Sequence, residues 1–263
     1  MDKILEISNV KFVYHTRANE TIALNNLSLD VKKEEFISIV GPSGCGKTTI
    51  LSLIAGLLKP SEGEILLEGK KIEKISSNVG YMFQRDNLFD WLNNTNNITL
   101  GLKIQKKLTP ESKNYALDLA NKYGLGKFIN HYPKELSGGM RQRIALIRTL
   151  ATRPKILLLD EPFSALDYQT RLSVQDDVYD IIKNEQKSAI LVTHDISEAI
   201  CMSDRIIVLT KSPAKVKTII ALEFPKNLTP FERRKTPIFH EYFNKVWEEL
   251  QWNKTFHSPI KNI

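Results

Sequence analysis

The residues from Gly41 to Thr48 read Gly-Pro-Ser-Gly-Cys-Gly-Lys-Thr, with a second threonine at Thr49. Gly41, Gly44 and Gly46, interleaved with Pro42, Ser43 and Cys45, let successive backbone N–H groups converge on one anion. Lys47 supplies a cation for β- and γ-phosphates, and the Thr48 hydroxyl a ligand for Mg²⁺. A glycine-rich turn of the same composition could simply be flexible. A strand at Phe36–Val40 before it and a helical pattern at Lys47–Leu58 after it favour phosphate binding, with the helix N-terminus aimed at the same anion. A second element ends in carboxylates: Ile156–Leu159 is apolar and runs into Asp160 and Glu161. Asp160, at the strand's C-terminal edge, can reach a metal beside the loop. Glu161 points to the other face and can orient or deprotonate an attacking water. Together the two motifs indicate hydrolysis of a nucleoside triphosphate.

Leu136, Ser137, Gly138 and Gly139 open another helical segment. This is a second helix start able to present backbone donors and a hydroxyl to an anion. One monomer needs only one such terminus, so the surplus suggests a nucleotide held by another subunit. His194 could cap a strand end, and Asp195 with Glu198 reads as a capping box opening the next helix. Tyr14 could stack on adenine or pack in the core, and Phe12 is the alternative aromatic. Cys45 lies inside the glycine loop, where its thiol is expected to be open to alkylation in the absence of nucleotide.

These residues need a frame. Alternating apolar positions over 4–13 and 22–31 predict two antiparallel strands. Strands at 156–160, 189–193 and 205–209, separated by helices at about 168–186 and 196–203, imply a parallel α/β sheet. Strand signals vanish between Phe89 and Ala151, which predicts an inserted helical subdomain over about 89–151. Pro225, Pro230 and Pro237 mark a linker over the final segment, 225–263, and its closing helix. There Thr236 and Pro237 suit N-cap and first-turn positions. Phe239, Phe243, Val246, Trp247 and Leu250 form an apolar stripe that is expected to pack on the rest of the chain.

With these motifs in order, the sequence over about residues 4–224 resembles the ATP-binding cassette ATPases. The resemblance implies an α/β fold: a P-loop NTPase core with a parallel sheet, an N-terminal antiparallel β subdomain and an inserted helical subdomain. It implies ATP and Mg²⁺ as ligands, Gln84 as the Q-loop glutamine that senses metal and partner, Ser164–Asp167 as the D-loop, and His194 as the switch histidine contacting the γ-phosphate. It further implies a nucleotide-sandwich homodimer, in which Ser137, Gly138 and Gly139 contact the ATP of the other copy. Separate transmembrane permease subunits and an extracytoplasmic substrate-binding protein follow as partners, with the chain peripheral on the cytoplasmic face of the membrane.

The stretch from Phe83 and Gln84 to Trp91, followed by Asn97 and Ile98, is similar to cassettes of the nitrate, sulfonate and taurine import group. Importers of thiamine-precursor pyrimidines or riboflavin-like ligands are the alternative, and an exporter a lesser one. A turn at Ser212 and Pro213 and a strand over 216–222 resemble the same group.

Composition narrows the rest. The 263 residues are 42 % hydrophobic and 25 % charged, ordinary globular usage. No run reaches the ~18–20 apolar residues of a membrane span, and the first residues lack the pattern of a secretory signal. Two cysteines make no disulfide framework, so a soluble cytoplasmic chain is expected. The net charge is +7, and residues 210–263 hold ten Lys/Arg against five Asp/Glu. Only Arg233, Arg234 and Lys235 cluster, which fits a solvated basic surface better than nucleic-acid binding. A soluble cassette of translation or repair would carry two cassettes or a long coiled coil, and a small-molecule kinase would lack the Leu136–Gly139 motif.

Overall fold

The computed structural model describes residues 2–15, 19–225 and 227–251. Two long strands, β1 (Lys3–His15) and β2 (Glu20–Lys32), pair antiparallel, with β4 (Glu62–Leu67) on the other side of β1 and β5 (Lys70–Lys71) at the edge. The second sheet has the order β10-β9-β3-β8-β7-β6, comprising β3 (Phe36–Val40), β6 (Val79–Met82), β7 (Ile156–Asp160), β8 (Ser188–Val192), β9 (Arg205–Leu209) and β10 (Val216–Ala221). Its first five members in chain order run parallel, and β10 closes the edge antiparallel to β9. Strands β3, β7 and β8 are buried along nearly their whole length, the pattern of a sheet covered on both faces.

The faces have different covers. Helix α1 (Lys47–Ile54) and the antiparallel sheet pack on one side around Leu5, Leu24, Ile50 and Leu158. Helices α2 (Asn94–Ile104), α3 (Pro110–Lys122), α4 (Gly138–Leu150) and α5 (Tyr168–Asn184) share a core with Leu157, Leu159 and Phe163 on the other. Burying one such side chain contributes about 1.5–3 kcal/mol. A third cluster joins α6 (Ile196–Met202), β10 and α8 (Pro237–Gln251), after the short α7 (Pro230–Arg233).

Several expectations are revised. The helix after the glycine loop ends at Ile54 rather than Leu58, and Gly56 follows with a left-handed φ of +71°. Strands β4 and β6 had no apolar alternation to announce them: β4 begins Glu-Gly-Glu, and β6 is four residues long with a glycine inside. At the start of α8 the Thr236 hydroxyl donates to the Arg233 carbonyl at 2.7 Å, and the Thr236 carbonyl accepts from the Phe239 amide. The stripe on α8 packs unevenly: Phe239 and Val246 are buried, whereas Trp247 is 47 % exposed with its ring stacked on Phe243.

The basic cluster is no solvated surface at its first member. Arg233 is buried, donating to the carbonyls of Cys201 and Ser203 and to the Tyr179 hydroxyl. Arg234 donates to Gln175. Of the closing segment 225–263, residues 226 and 252–263 lie outside the described residues.

Candidate functional site

The candidate residues gather at the carboxyl ends of parallel strands, where open α/β sheets bind ligands. Strand β3 runs into the glycine loop, β6 leads to Gln84, β7 ends at Asp160 and Glu161, and β8 precedes His194. The register sets Met82 beside Leu159 and Asp160 beside Val192, so three of these ends stand side by side. In the loop, Gly44 and Gly46 take φ of +72° and +111°, values that side-chain-bearing residues rarely adopt. The Lys47 ammonium folds over the loop and donates to the carbonyls of Gly41 (2.9 Å) and Pro42 (3.1 Å). The loop thus holds its cation over its own backbone, where a phosphate would compete for it.

Asp160 accepts a hydrogen bond from the Tyr81 hydroxyl at 3.0 Å. Burial pushes its carboxyl above the ordinary range, and Glu161 adds to this; hydrogen bonds from Tyr81 and Thr48 and the Lys47 charge oppose it. The Tyr81 phenol is itself raised, by burial first and then by Asp160. Glu161 lies at a left-handed φ of +46°, a strained conformation for a residue with a side chain. Its Oε2 is 3.2 Å from Nδ1 of His194, whose ring is largely exposed. Asp195 caps α6 as expected, accepting from the backbone amides of Ser197 and Glu198. The reciprocal half of the expected capping box is missing, because the Glu198 carboxylate accepts from Thr193 instead.

The second helix start is built differently. The Ser137 hydroxyl caps α4, accepting from Met140 N at 3.3 Å. A Cβ on Gly139 would stand 2.7 Å from Val174 Cγ2, and one on Gly138 would stand 3.0 Å from Leu166 Cδ2. These glycines let α4 lie close to α5 and the loop before it. Ser137 and Gly138 face an open pocket of about 380 Å³ shared with Asp86, Arg141, Leu166 and Asp167, and no residue of the glycine loop lines it. Two arginines of α4 tie this start to the segment after β6: Arg141 pairs with Asp86 at 3.0 Å, and Arg148 donates to the carbonyls of Asp86 and Asn87.

Comparison with known proteins decides what these two starts belong to. Residues 24–164 match the family model described as ABC transporter. The chain is an ATP-binding cassette ATPase. It is 49 % identical over 249 residues to an uncharacterized ABC transporter ATP-binding protein of Bacillus subtilis, covering 94 % of this chain and 95 % of that one. An aliphatic sulfonates import ATP-binding protein of Bacillus cereus is 36 % identical over 249 residues, with 94 % and 96 % covered. Among solved structures, a dimeric ATP-binding cassette in a post-hydrolysis state bound to ADP and Pi superposes with a TM-score of 0.69. Its identity is 32 %, and the match spans 84 % of this chain and all of that one.

Two further positions in the cassette bear on the alternatives. The Tyr14 hydroxyl lies 3.0 Å from Thr49 Oγ1 and the ring is 41 % exposed beside the glycine loop, whereas Phe12 is buried and meets Tyr14 edge to face. Cys45 corrects an expectation: its thiol is 1 % exposed, turned under the loop toward Gly41, and burial raises its pKa. The Cys45 amide donates inward to the Pro42 carbonyl. Sequence reasoning passed over Tyr81 and Arg171. Arg171 stands one helical turn after Asp167, a spacing that puts both on one face of the helix start. Among the described residues, no helix is long and apolar enough to cross a membrane.

Proposed function

We propose that this cassette works as a head-to-tail pair of identical chains that hydrolyses ATP to drive separate permease subunits at the cytoplasmic face of a membrane. The carrying observation is the separation of the two anion-presenting helix starts: Ser137 and Gly138 open onto a surface pocket that no glycine-loop residue lines. Such a start can serve only a nucleotide brought by another molecule. The dimeric relative holding ADP and Pi supports the pairing.

Within each site, the amides of Gly44, Gly46, Lys47 and Thr48 and the Lys47 ammonium hold the β- and γ-phosphates, and Tyr14 stacks on the adenine. Thr48, Asp160 and Gln84 are hard oxygen donors suited to Mg²⁺, which keeps most of its shell as water and phosphate oxygens. Mg²⁺, when bound, neutralises charge on the β- and γ-phosphates. Glu161 accepts a proton from the attacking water, while His194, now held by Glu161, turns to the γ-phosphate. Ser137, Gly138 and Gly139 complete the site across the dimer.

The transported molecule is a small organic or inorganic anion of the sulfonate or nitrate type, delivered by an extracytoplasmic binding protein. The sulfonate-importing relative, which matches over nearly its whole length, supports this. Mixed dimers carrying Lys47→Ala and Ser137→Arg test the shared site. Lesions on opposite protomers should leave one intact composite site and about half the turnover. Lesions on the same protomer should leave none. The reverse pattern would place each site within one chain.

A further inference from the structure

We infer that Arg171 is a positioning residue that makes the setting of His194 depend on the loop Ser164–Asp167. The inference rests on the reading of His194 as a γ-phosphate contact. Arg171 lies in the first turn of α5 and reaches both ways. Its Nη2 donates to the Leu166 carbonyl at 3.0 Å, on the loop that borders the Ser137 pocket. On the other side, Nη1 is 3.7 Å from Asp195 Oδ2 and Nε is 4.0 Å from Glu198 Oε1. Glu198 is 3 % exposed, and its Oε2 accepts from the Thr193 hydroxyl at 2.7 Å; that hydroxyl in turn accepts from Asp195 N at 3.0 Å. The Glu198 carboxylate that Arg171 faces therefore holds Thr193 directly and Asp195 through the Thr193 hydroxyl, the two residues that flank His194.

The contacts close on themselves. His194 meets Glu161, the Glu161 carbonyl accepts from the Ser164 hydroxyl, and Leu166, two residues on, accepts from Arg171. A shift of Leu166 must be taken up by the guanidinium, because the fork is rigid and planar. One atom of that fork is poised to move: Nε is buried without a hydrogen-bond partner, yet stands just outside bonding distance of Glu198. A bare buried donor beside a buried carboxylate is an arrangement that a small displacement improves. Pressure on the loop from a second protomer would draw Arg171 onto Glu198 and reset the turn carrying His194. Charge alone does not suffice for this, since one group must bond the Leu166 carbonyl and face two carboxylates at once.

The test is a double-mutant cycle on the full chain, reading ATP turnover against ATP concentration. Arg171→Gln should lower kcat roughly tenfold, short of the ~10²-fold that a full 1 Å misplacement of a reacting group can cost, while KM for ATP changes less than about twofold. Arg171→Lys keeps the charge and loses the fork, and should recover only part of kcat. In a His194→Ala background, Arg171→Gln should add little further loss, because its route of action is already gone. Losses that multiply, with His194→Ala itself slow, would overturn the link and leave the site reading standing. A His194→Ala chain with wild-type turnover would overturn both. Should Arg171→Gln fail to fold, the same cycle run with Arg171→Lys and Glu198→Gln decides between additive and non-additive loss.

Discussion

The two helix starts of this cassette use the same residue type for opposite reasons. In the glycine loop, Gly44 has nothing near a would-be Cβ and a left-handed φ of +72°, so the backbone conformation alone calls for glycine. At the start of α4, neither Gly138 nor Gly139 has a positive φ, and what excludes a side chain is the neighbouring Leu166 and Val174. The first start is rigid by torsion and carries its own cation. The second is held by packing against α5, so its position follows that of its neighbours. A start set by its own torsions and a start set by its packing suit the closure between two molecules proposed above.

The sharpest way to break that contrast is to strip the fixed start of its cation. Lys47→Ala should cost about 10²–10³ in turnover and remove tight ATP binding, read by nucleotide fluorescence and phosphate release. Near-normal turnover would remove the glycine loop from the chemistry. Glu161→Gln should slow hydrolysis by about 10²-fold while leaving both starts intact, so dimers should accumulate with MgATP. Light scattering behind size exclusion, with and without nucleotide, reads this, and a chain that stays monomeric at saturating ATP would count against closure.

Smaller effects separate the two kinds of glycine. Gly139→Ala should cost about 1–3 kcal/mol by overpacking, and Val174→Ala in the same chain should recover part of it. Gly44→Ala should cost about 1–2 kcal/mol through torsion, and no neighbouring truncation should relieve it; denaturant unfolding measures both. The least change is expected at the thiols. Burial raises both, Cys201 to about 11 and Cys45 likewise upward, so thiolate is scarce at neutral pH. Labelling by a disulfide reagent should be slow in the native state, with or without ATP, and rapid in denaturant. Labelling of Cys45 that only MgATP prevents would return the thiol to the loop surface.

Much of this was legible because it is local. The loop from Gly41 to Thr48, the carboxylate pair at Asp160 and Glu161, and the Leu136–Gly139 motif each lie within a few residues, and strand or helix periodicity flanks them. What escaped depends on contacts between distant segments. Strand β4 is a strand through its pairing with β1, since Glu62 and Gly63 argue against one locally. Cys45 is buried against Gly41, in the cluster that also holds Leu24, Ile39 and Leu209, and no spacing rule carries that. Arg233 reads as part of a basic run until the end of α6 and the residue after it, Ser203, present two carbonyls to it. Glu198 matches a capping pattern, yet Thr193 is the better partner for its carboxylate.

The sheet order also bears on how the chain assembles. Strand β3, which carries the glycine loop, is made early, yet its two neighbours are β8 and β9, pairing Ile37 with Ile190 and Arg205. Until those late strands leave the ribosome, β3 has no hydrogen-bonding partner in its own sheet. The intervening helices α2–α4 contact one another within one continuous stretch of chain and can form first, whereas the central strand must wait for loop closure across most of the chain. Nucleotide affinity should therefore arise only once β8 and β9 have been made, in one step with their docking.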